Sequence, residues 1–228
     1  MHNTNMPRKL KAIIFDNEWV LVKNDWNRSS EIASEAYGTP VLSGRNFKKA
    51  LQIPYYPKGR TSNLLAEYSA GRIKGDFFWK RVLQSFSIRT SIKNEDIFKN
   101  ALRNLTTDVD EDAISLVKKL KETGDYRLLV FSNATPEITE GNTERNGDHY
   151  SAFDFCYFSY AIGYRKPEIK AYSFLLKEEG LKGGECLYLD DKEENLTPAK
   201  IVGMNVTRHK IGEGKLSDKL GYLLENGK

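Results

Sequence analysis

Four short apolar runs, each closed by polar residues, constrain this chain more than any other feature. They are Ala12-Ile13-Ile14-Phe15, Leu128-Leu129-Val130-Phe131, Phe155-Cys156-Tyr157-Phe158 and Cys186-Leu187-Tyr188-Leu189. A strand with one wet face alternates between apolar and polar residues. Near-continuous runs read instead as strands buried on both faces of a parallel sheet. Amphipathic stretches lie between the later runs. Residues 110–123 put Ala113, Ile114, Val117 and Leu120 on one face and stop at Gly124, a good C-terminal cap. Residues 169–179 are also helix-like. So are residues 198–202, with Pro198 near the first helical position and Gly203 just past the end. Strand alternating with helix predicts an α/β fold built on a doubly wound parallel sheet.

Residues 24–108 break the alternation with one helical stretch after another and no convincing buried strand. Phe78, Val82 and Phe86 recur at intervals of four beside Trp79 and Leu83, and Ile97, Phe98, Ala101, Leu102 and Leu105 form a second stripe. Such stripes pack helix on helix. A helical block inserted after the first strand reads as a cap over the carboxyl ends of the strands, where open α/β sheets bind ligands. The expected organisation is a flexible start at 1–9, a Rossmann-like core at 10–23 and 109–228, and a helical cap at 24–108.

Composition narrows the classes. The 228 residues are 39% hydrophobic and 29% charged, enough apolar material for a sizeable core. The net charge of +4 is spread among interleaved acids and bases, which describes a solvated surface rather than a nucleic-acid groove. No run has the length of a membrane span, and residues 1–9 lack the apolar stretch of a signal peptide. Cys156 and Cys186 sit inside apolar runs, where core packing explains them better than a disulfide or metal pair. The expectation is a cytoplasmic protein without nucleic-acid or membrane partners, its oligomeric state open.

The chemistry sits at the ends of the runs. The first leads into Asp16-Asn17-Glu18, two carboxylates two residues apart at the mouth of the sheet; alone, this could be an ordinary strand-end turn. The second ends in Ser132-Asn133, a hydroxyl and fresh backbone N–H groups suited to phosphate oxygens, although a helix cap near Thr135-Pro136 also explains them. The third is followed by Gly163-Tyr164-Arg165-Lys166-Pro167, where the proline fixes the backbone after Lys166 and starts a helix. The fourth ends in Asp190-Asp191, with Asn195 beyond. Adjacent acids there repel unless a cation sits between them and a third acid, and magnesium suits an all-oxygen site.

Together these four signatures resemble the haloacid dehalogenase superfamily, over roughly residues 11–208. That family is marked by a strand-end Asp with a second acid two residues on, then Ser or Thr, then Lys, then paired acids. Here these are Asp16 with Glu18, Ser132, Lys166 before Pro167, and Asp190-Asp191. Residues 65–86, with Tyr68, Gly71 and Phe78-Trp79, further resemble the branch of glucose-1-phosphatase-like phosphatases. The resemblance implies hydrolysis of a small phosphomonoester, a sugar phosphate among the candidates, through an aspartyl-phosphate on Asp16. It implies Glu18 as general acid and base, and Ser132, Asn133 and Lys166 as phosphate-binding residues. It implies magnesium on Asp16, the backbone carbonyl of Glu18 and Asp190, with Asp191 and Asn195 behind them. Glu18 departs from the family's usual Asp, and it argues against dehalogenation, for which the family usually carries Tyr there. A phosphotransferase such as a sugar-phosphate mutase is the alternative on the same fold. A catalytically weak binding protein is another, raised by Glu18 and by an expected long polar loop over 140–149. Arg28, Tyr55, Tyr56, Lys58, Arg60 and Trp79 are candidates for specificity contacts from the cap, although packing or exposure explains each of them better.

Overall fold

The computed structural model describes residues 10–37, 44–55 and 62–226. Strands β1 (Ala12–Phe15) and β2 (Val22–Asn24) are followed by helices α1 (Trp26–Tyr37) and α2 (Gly44–Leu51). Short strands β3 (Pro54–Tyr55) and β4 (Ser62–Asn63) precede α3 (Leu64–Ser69), α4 (Gly75–Ser85) and α5 (Ile92–Arg103). The chain returns through β5 (Thr106–Val109) to α6 (Glu111–Thr123), β6 (Arg127–Ser132), α7 (Pro136–Ser151), β7 (Phe155–Phe158) and the single-turn α8 (Ser159–Ile162). It ends with α9 (Ile169–Glu179), β8 (Cys186–Asp190), α10 (Glu193–Ile201), β9 (Asn205–Arg208) and α11 (Leu216–Asn226).

The four apolar runs become adjacent strands of one sheet ordered β7-β6-β1-β8-β9, every neighbouring pair parallel. Successive strand residues point to opposite faces, and both faces are apolar because both are covered. Ile13, Phe15, Leu128, Val130, Leu187 and Leu189 pack with α6 and α11 on one face. Ala12, Ile14, Leu129, Phe131, Cys186 and Tyr188 pack with α9 and α10 on the other. The chain winds outward from β1 in both directions, so the crevice for a ligand lies where β1 parts from its neighbours, at the carboxyl ends.

Four details differ from the sequence reading. Strand β7 lies at the edge of the sheet and is not buried on both faces, Phe155 being exposed. Strand β9 forms the opposite edge, and its half-exposed residues give no apolar run to read. Helix α10 begins at Glu193, so Pro198 lies inside it and not near its start. Glu193 and Glu194 suit the positive end of the helix, and Pro198, one turn on, withholds a single backbone donor. Residues 140–149 are not a loop: they belong to α7, which Thr135 caps through a side-chain bond from the Ile138 N–H and which kinks at Asn146.

The segment between β1 and β6 is mainly helical. Phe47, Phe78, Trp79, Val82, Leu83, Phe98, Ala101 and Leu102 form its own core, Phe47 stacking on Phe98 with ring centroids 5.8 Å apart. Strands β2 and β5 pair antiparallel at its base, and that ladder straddles the boundaries expected at 23/24 and 108/109. Helix α5 packs on α7, which fixes the insert over the carboxyl edge of the sheet. Among the described residues no helix is long and apolar enough to cross a membrane.

Candidate active site

Strand ends deliver the polar residues. Asp16 is the first residue past β1, and its N–H still donates to the Leu189 carbonyl at 2.8 Å, so its carboxylate is fixed by the sheet ladder. Ser132 and Asp190 are the last residues of β6 and β8, and all three are buried. Lys166 arrives from the loop after α8. Its side chain is 1% exposed, and its ammonium lies 2.7 Å from Asp16 Oδ1 and 2.8 Å from Asp190 Oδ2. The faces of Phe131 and Tyr188 flank it at 5.4 and 5.6 Å. Its backbone is clamped from β6: the Lys166 N–H donates to Asn133 Oδ1 at 2.9 Å, and Asn133 Nδ2 donates to the Lys166 carbonyl at 2.8 Å. The helix expected over 169–179 is α9, Ile169–Glu179.

Asp190 and Asp191 have opposite surroundings. Asp190 accepts from Lys166 Nζ, from the Tyr188 hydroxyl, from the Lys192 N–H at 2.9 Å and from Asn195 Nδ2 at 3.0 Å to each oxygen. Asp191 Oδ1 is buried with no hydrogen-bond partner among the described residues, the Lys192 ammonium standing 3.9 Å away. Burial pushes the Asp190 carboxyl up, but Lys166 and the hydrogen bonds outweigh it and hold the group below its ordinary value. Asp191 is raised, by burial first and by the charges of Asp190 and Glu18. Asp16 is pushed up to about 8 by burial and then by Asp190, against the pull of Lys166. Ligand oxygens of Asp16, Asp190 and Asp191 lie within 4.8 Å of one another. Raised carboxylates crowded together, one with a bare oxygen, call for a cation.

Glu18 lies on the turn between β1 and β2, half-buried, with Oε2 3.8 Å from Lys192 Nζ. Trp19 beside it adopts φ 64°, a left-handed conformation that favours glycine, and Lys210 caps its ring at 5.1 Å. Asp16, Glu18, Ser132, Asn133, Lys166, Asp190, Asp191 and Asn195, chosen from sequence, thus converge at one edge of the sheet. The expected specificity residues do not. Arg28 is exposed beside Glu31, the Tyr55 ring packs near Phe77, and Trp79 is buried in the insert's core. Tyr56, Lys58 and Arg60 lie outside the described residues. Sequence reading missed Tyr188 and Lys192, which adjoin the paired acids, and the α7 face of Thr135, Ile138, Thr139 and Asn142. These last line a chamber of about 390 Å³ above Ser132 and Lys166. Helical spacing across 135–142 was the signal that could have found them.

The model of haloacid dehalogenase-like hydrolases matches residues 10–203, which covers every residue of this site. The chain belongs to that family. Among its relatives, the D-ribitol-5-phosphate phosphatase of Bacteroides thetaiotaomicron is 21% identical over 208 residues, 89% of this chain and 93% of that one. A haloacid dehalogenase family enzyme of the same organism, solved in complex with magnesium and inorganic phosphate, superposes with a TM-score of 0.71. It is 20% identical and covers 90% of this chain and 96% of its own, a likeness of fold. Drimenol cyclase drtB of Aspergillus calidoustus is 25% identical over 73% of this chain, which spans only 32% of that protein's length.

Proposed function

We propose that this haloacid dehalogenase-like hydrolase cleaves small phosphomonoesters through an aspartyl-phosphate on Asp16, with magnesium as its cation. The observation that carries this reading is the buried Lys166 ammonium shared by Asp16 and Asp190, beside an Asp191 oxygen with no donor. The donor set is carboxylate oxygen, which suits magnesium. The roles expected for the paired acids change, however. The oxygens of Asp190 are filled by hydrogen bonds, so Asp190 positions Lys166. Asp16 and Asp191, with the backbone carbonyl of Glu18 that the family resemblance implies, are the groups left to hold the cation. Asn195 acts from behind, on Asp190. When bound, magnesium offsets the repulsion between the Asp16 carboxylate and the phosphate.

Asp16 attacks phosphorus as the ester P–O bond breaks, and Glu18 gives its proton to the leaving alkoxide. Glu18 then takes a proton from the water that hydrolyses the acyl phosphate. Lys166, the Ser132 hydroxyl and the backbone N–H groups that follow Ser132 receive the charge on the equatorial oxygens. Asn133 acts by clamping the Lys166 backbone, so its side chain is a positioning group. Lys192 sits close enough to Glu18 to hold its carboxyl at the chamber wall. The family membership and the phosphatase among the relatives support the reading.

The test is magnesium-dependent hydrolysis of p-nitrophenyl phosphate and a phosphomonoester panel. Asp16→Asn is expected to fold normally and to lose activity by at least roughly a thousandfold. A chelator is expected to abolish turnover. An active Asp16→Asn protein, or chelator-resistant turnover, contradicts the mechanism.

A further inference from the structure

Two cations on the chamber wall take no part in the hydrolytic chemistry. The chamber is lined by Lys48 from α2, by Arg165 and Lys166 from the loop after α8, and by Lys192. Lys166 is engaged by Asp16 and Asp190, and Lys192 stands beside Glu18 and Asp191. Arg165 and Lys48 are half-buried, and among the described residues neither forms an ion pair or donates a hydrogen bond. The acids nearest Arg165 are engaged elsewhere, Glu67 and Glu168 both pairing with Arg72. Glu194 also lines the chamber, but it is exposed and forms no ion pair with Arg165. Burial lowers Arg165 from its ordinary value, the mark of a cation whose lost water nothing has replaced. The Lys48 ammonium stands 4.9 Å over the Trp26 ring, an aromatic face rather than an acid. The loop that carries Arg165 is fixed, because the Asn133 amide bonds both backbone polar groups of the next residue.

We propose that Arg165 and Lys48 bind a second anionic group on the substrate, a carboxylate or a further phosphate remote from the scissile ester; this rests on the hydrolytic role proposed above. Lys166 and Arg165 are consecutive, so one fixed loop meets the reacting phosphoryl group with the first and the distal anion with the second. The planar guanidinium presents paired donors that match two oxygens of either anion. Lys48 adds a point charge from the insert, so both parts of the fold grip one ligand. A neutral tail in the same place leaves two half-buried cations unpaired. A chamber of about 390 Å³ is of a size for such a small molecule.

The experiment compares 3-phosphooxypropanoate, its neutral amide 3-phosphooxypropanamide and propane-1,3-diyl bisphosphate on the full chain with magnesium. Both kcat/KM and the calorimetric Kd are read for each. The wild-type protein is expected to favour an anionic tail over the amide by roughly ten- to a hundredfold in both quantities. The carboxylate and bisphosphate arms tell the two anions apart. Arg165→Gln is expected to bring that ratio close to one, and Arg165→Lys, which keeps the charge and loses the fork, to hold part of it. Lys48→Gln, on the insert, is expected to lower the ratio severalfold, and it decides the matter if Arg165→Gln does not fold. Equal handling of the amide and both anions by the wild-type protein overturns the proposal. So does an unchanged ratio in a folded Arg165→Gln or Lys48→Gln protein, even where all rates fall together. Tighter binding of an anionic probe that Arg165→Gln loses, without hydrolysis of any probe, supports the anion subsite and overturns the phosphatase reading.

Discussion

Asp190 and Asp191 are chain neighbours that the fold treats differently, and their hydrogen bonding is what supports the proposal that Asp191 serves the cation. The end of β8 turns the Asp190 side chain inward onto Lys166, Tyr188 and Asn195, where donors fill it. One residue later the backbone has left the strand, and Asp191 Oδ1 is stranded beneath Lys192. Asp191→Asn is therefore expected to fold normally and to need roughly ten to a hundred times more magnesium for half-maximal activity. Asp190→Asn removes a charge from the buried lysine and is expected to lower unfolding free energy by about 3 kcal/mol. Magnesium titration and urea melts of the two variants check this. The opposite pattern, an unstable Asp191→Asn and a metal-deficient but stable Asp190→Asn, returns Asp190 to the metal.

At the scale of elements, the central strands were legible because burial on both faces leaves no polar residue to interrupt β1, β6 and β8. The same rule hid β9, an edge strand whose sequence Asn-Val-Thr-Arg carries no run. It also hid the later part of α7, whose polar, glycine-containing sequence is helical because α5 and β5 hold it, not because of its own propensity. Strand ends located Asp16, Ser132 and the paired acids, and the loop after α8 brings Lys166 to them. The chamber wall on α7 went unread because the loop expected over 140–149 cut short the helical spacing of Thr135, Ile138, Thr139 and Asn142 that marks its face. Gly141 records how close the two helices come: a Cβ there would stand 1.9 Å from the Arg103 carbonyl oxygen at the end of α5. Gly141→Ala must push α5 away and is expected to cost about 1–3 kcal/mol. Gly221 in α11 has nothing within 4 Å of such a Cβ, so Gly221→Ala is expected to stabilise by about 0.5–1 kcal/mol. Thermal melts of the pair decide it; equal effects at both positions would mean that α5 and α7 do not approach so closely.

Across the whole molecule, the insert and the core share buried and half-buried polar ties of a kind that resists separate unfolding. Glu137, in the first turn of α7 and 4% exposed, accepts from the Tyr68 hydroxyl at 2.7 Å and from Trp79 Nε1 at 3.0 Å. Ser159 donates to the Ser69 carbonyl, and Arg72 on the insert pairs with Glu168 ahead of α9. The Tyr68 hydroxyl is raised well above its ordinary value, by burial and then by the Glu137 charge, so it stays a donor at neutral pH. Such ties predict one cooperative transition rather than a cap that melts first. Tryptophan fluorescence, to which Trp79 in the insert contributes, is expected to coincide with far-UV circular dichroism through thermal unfolding. Glu137→Ala leaves the Tyr68 O–H and the Trp79 N–H buried without an acceptor, a loss of about 3 kcal/mol. Both signals are then expected to shift down together by roughly 5–10 °C. A fluorescence transition that precedes the dichroism transition in the wild-type protein would show the insert opening alone, and Glu137 would then be a local contact rather than the joint between the two parts.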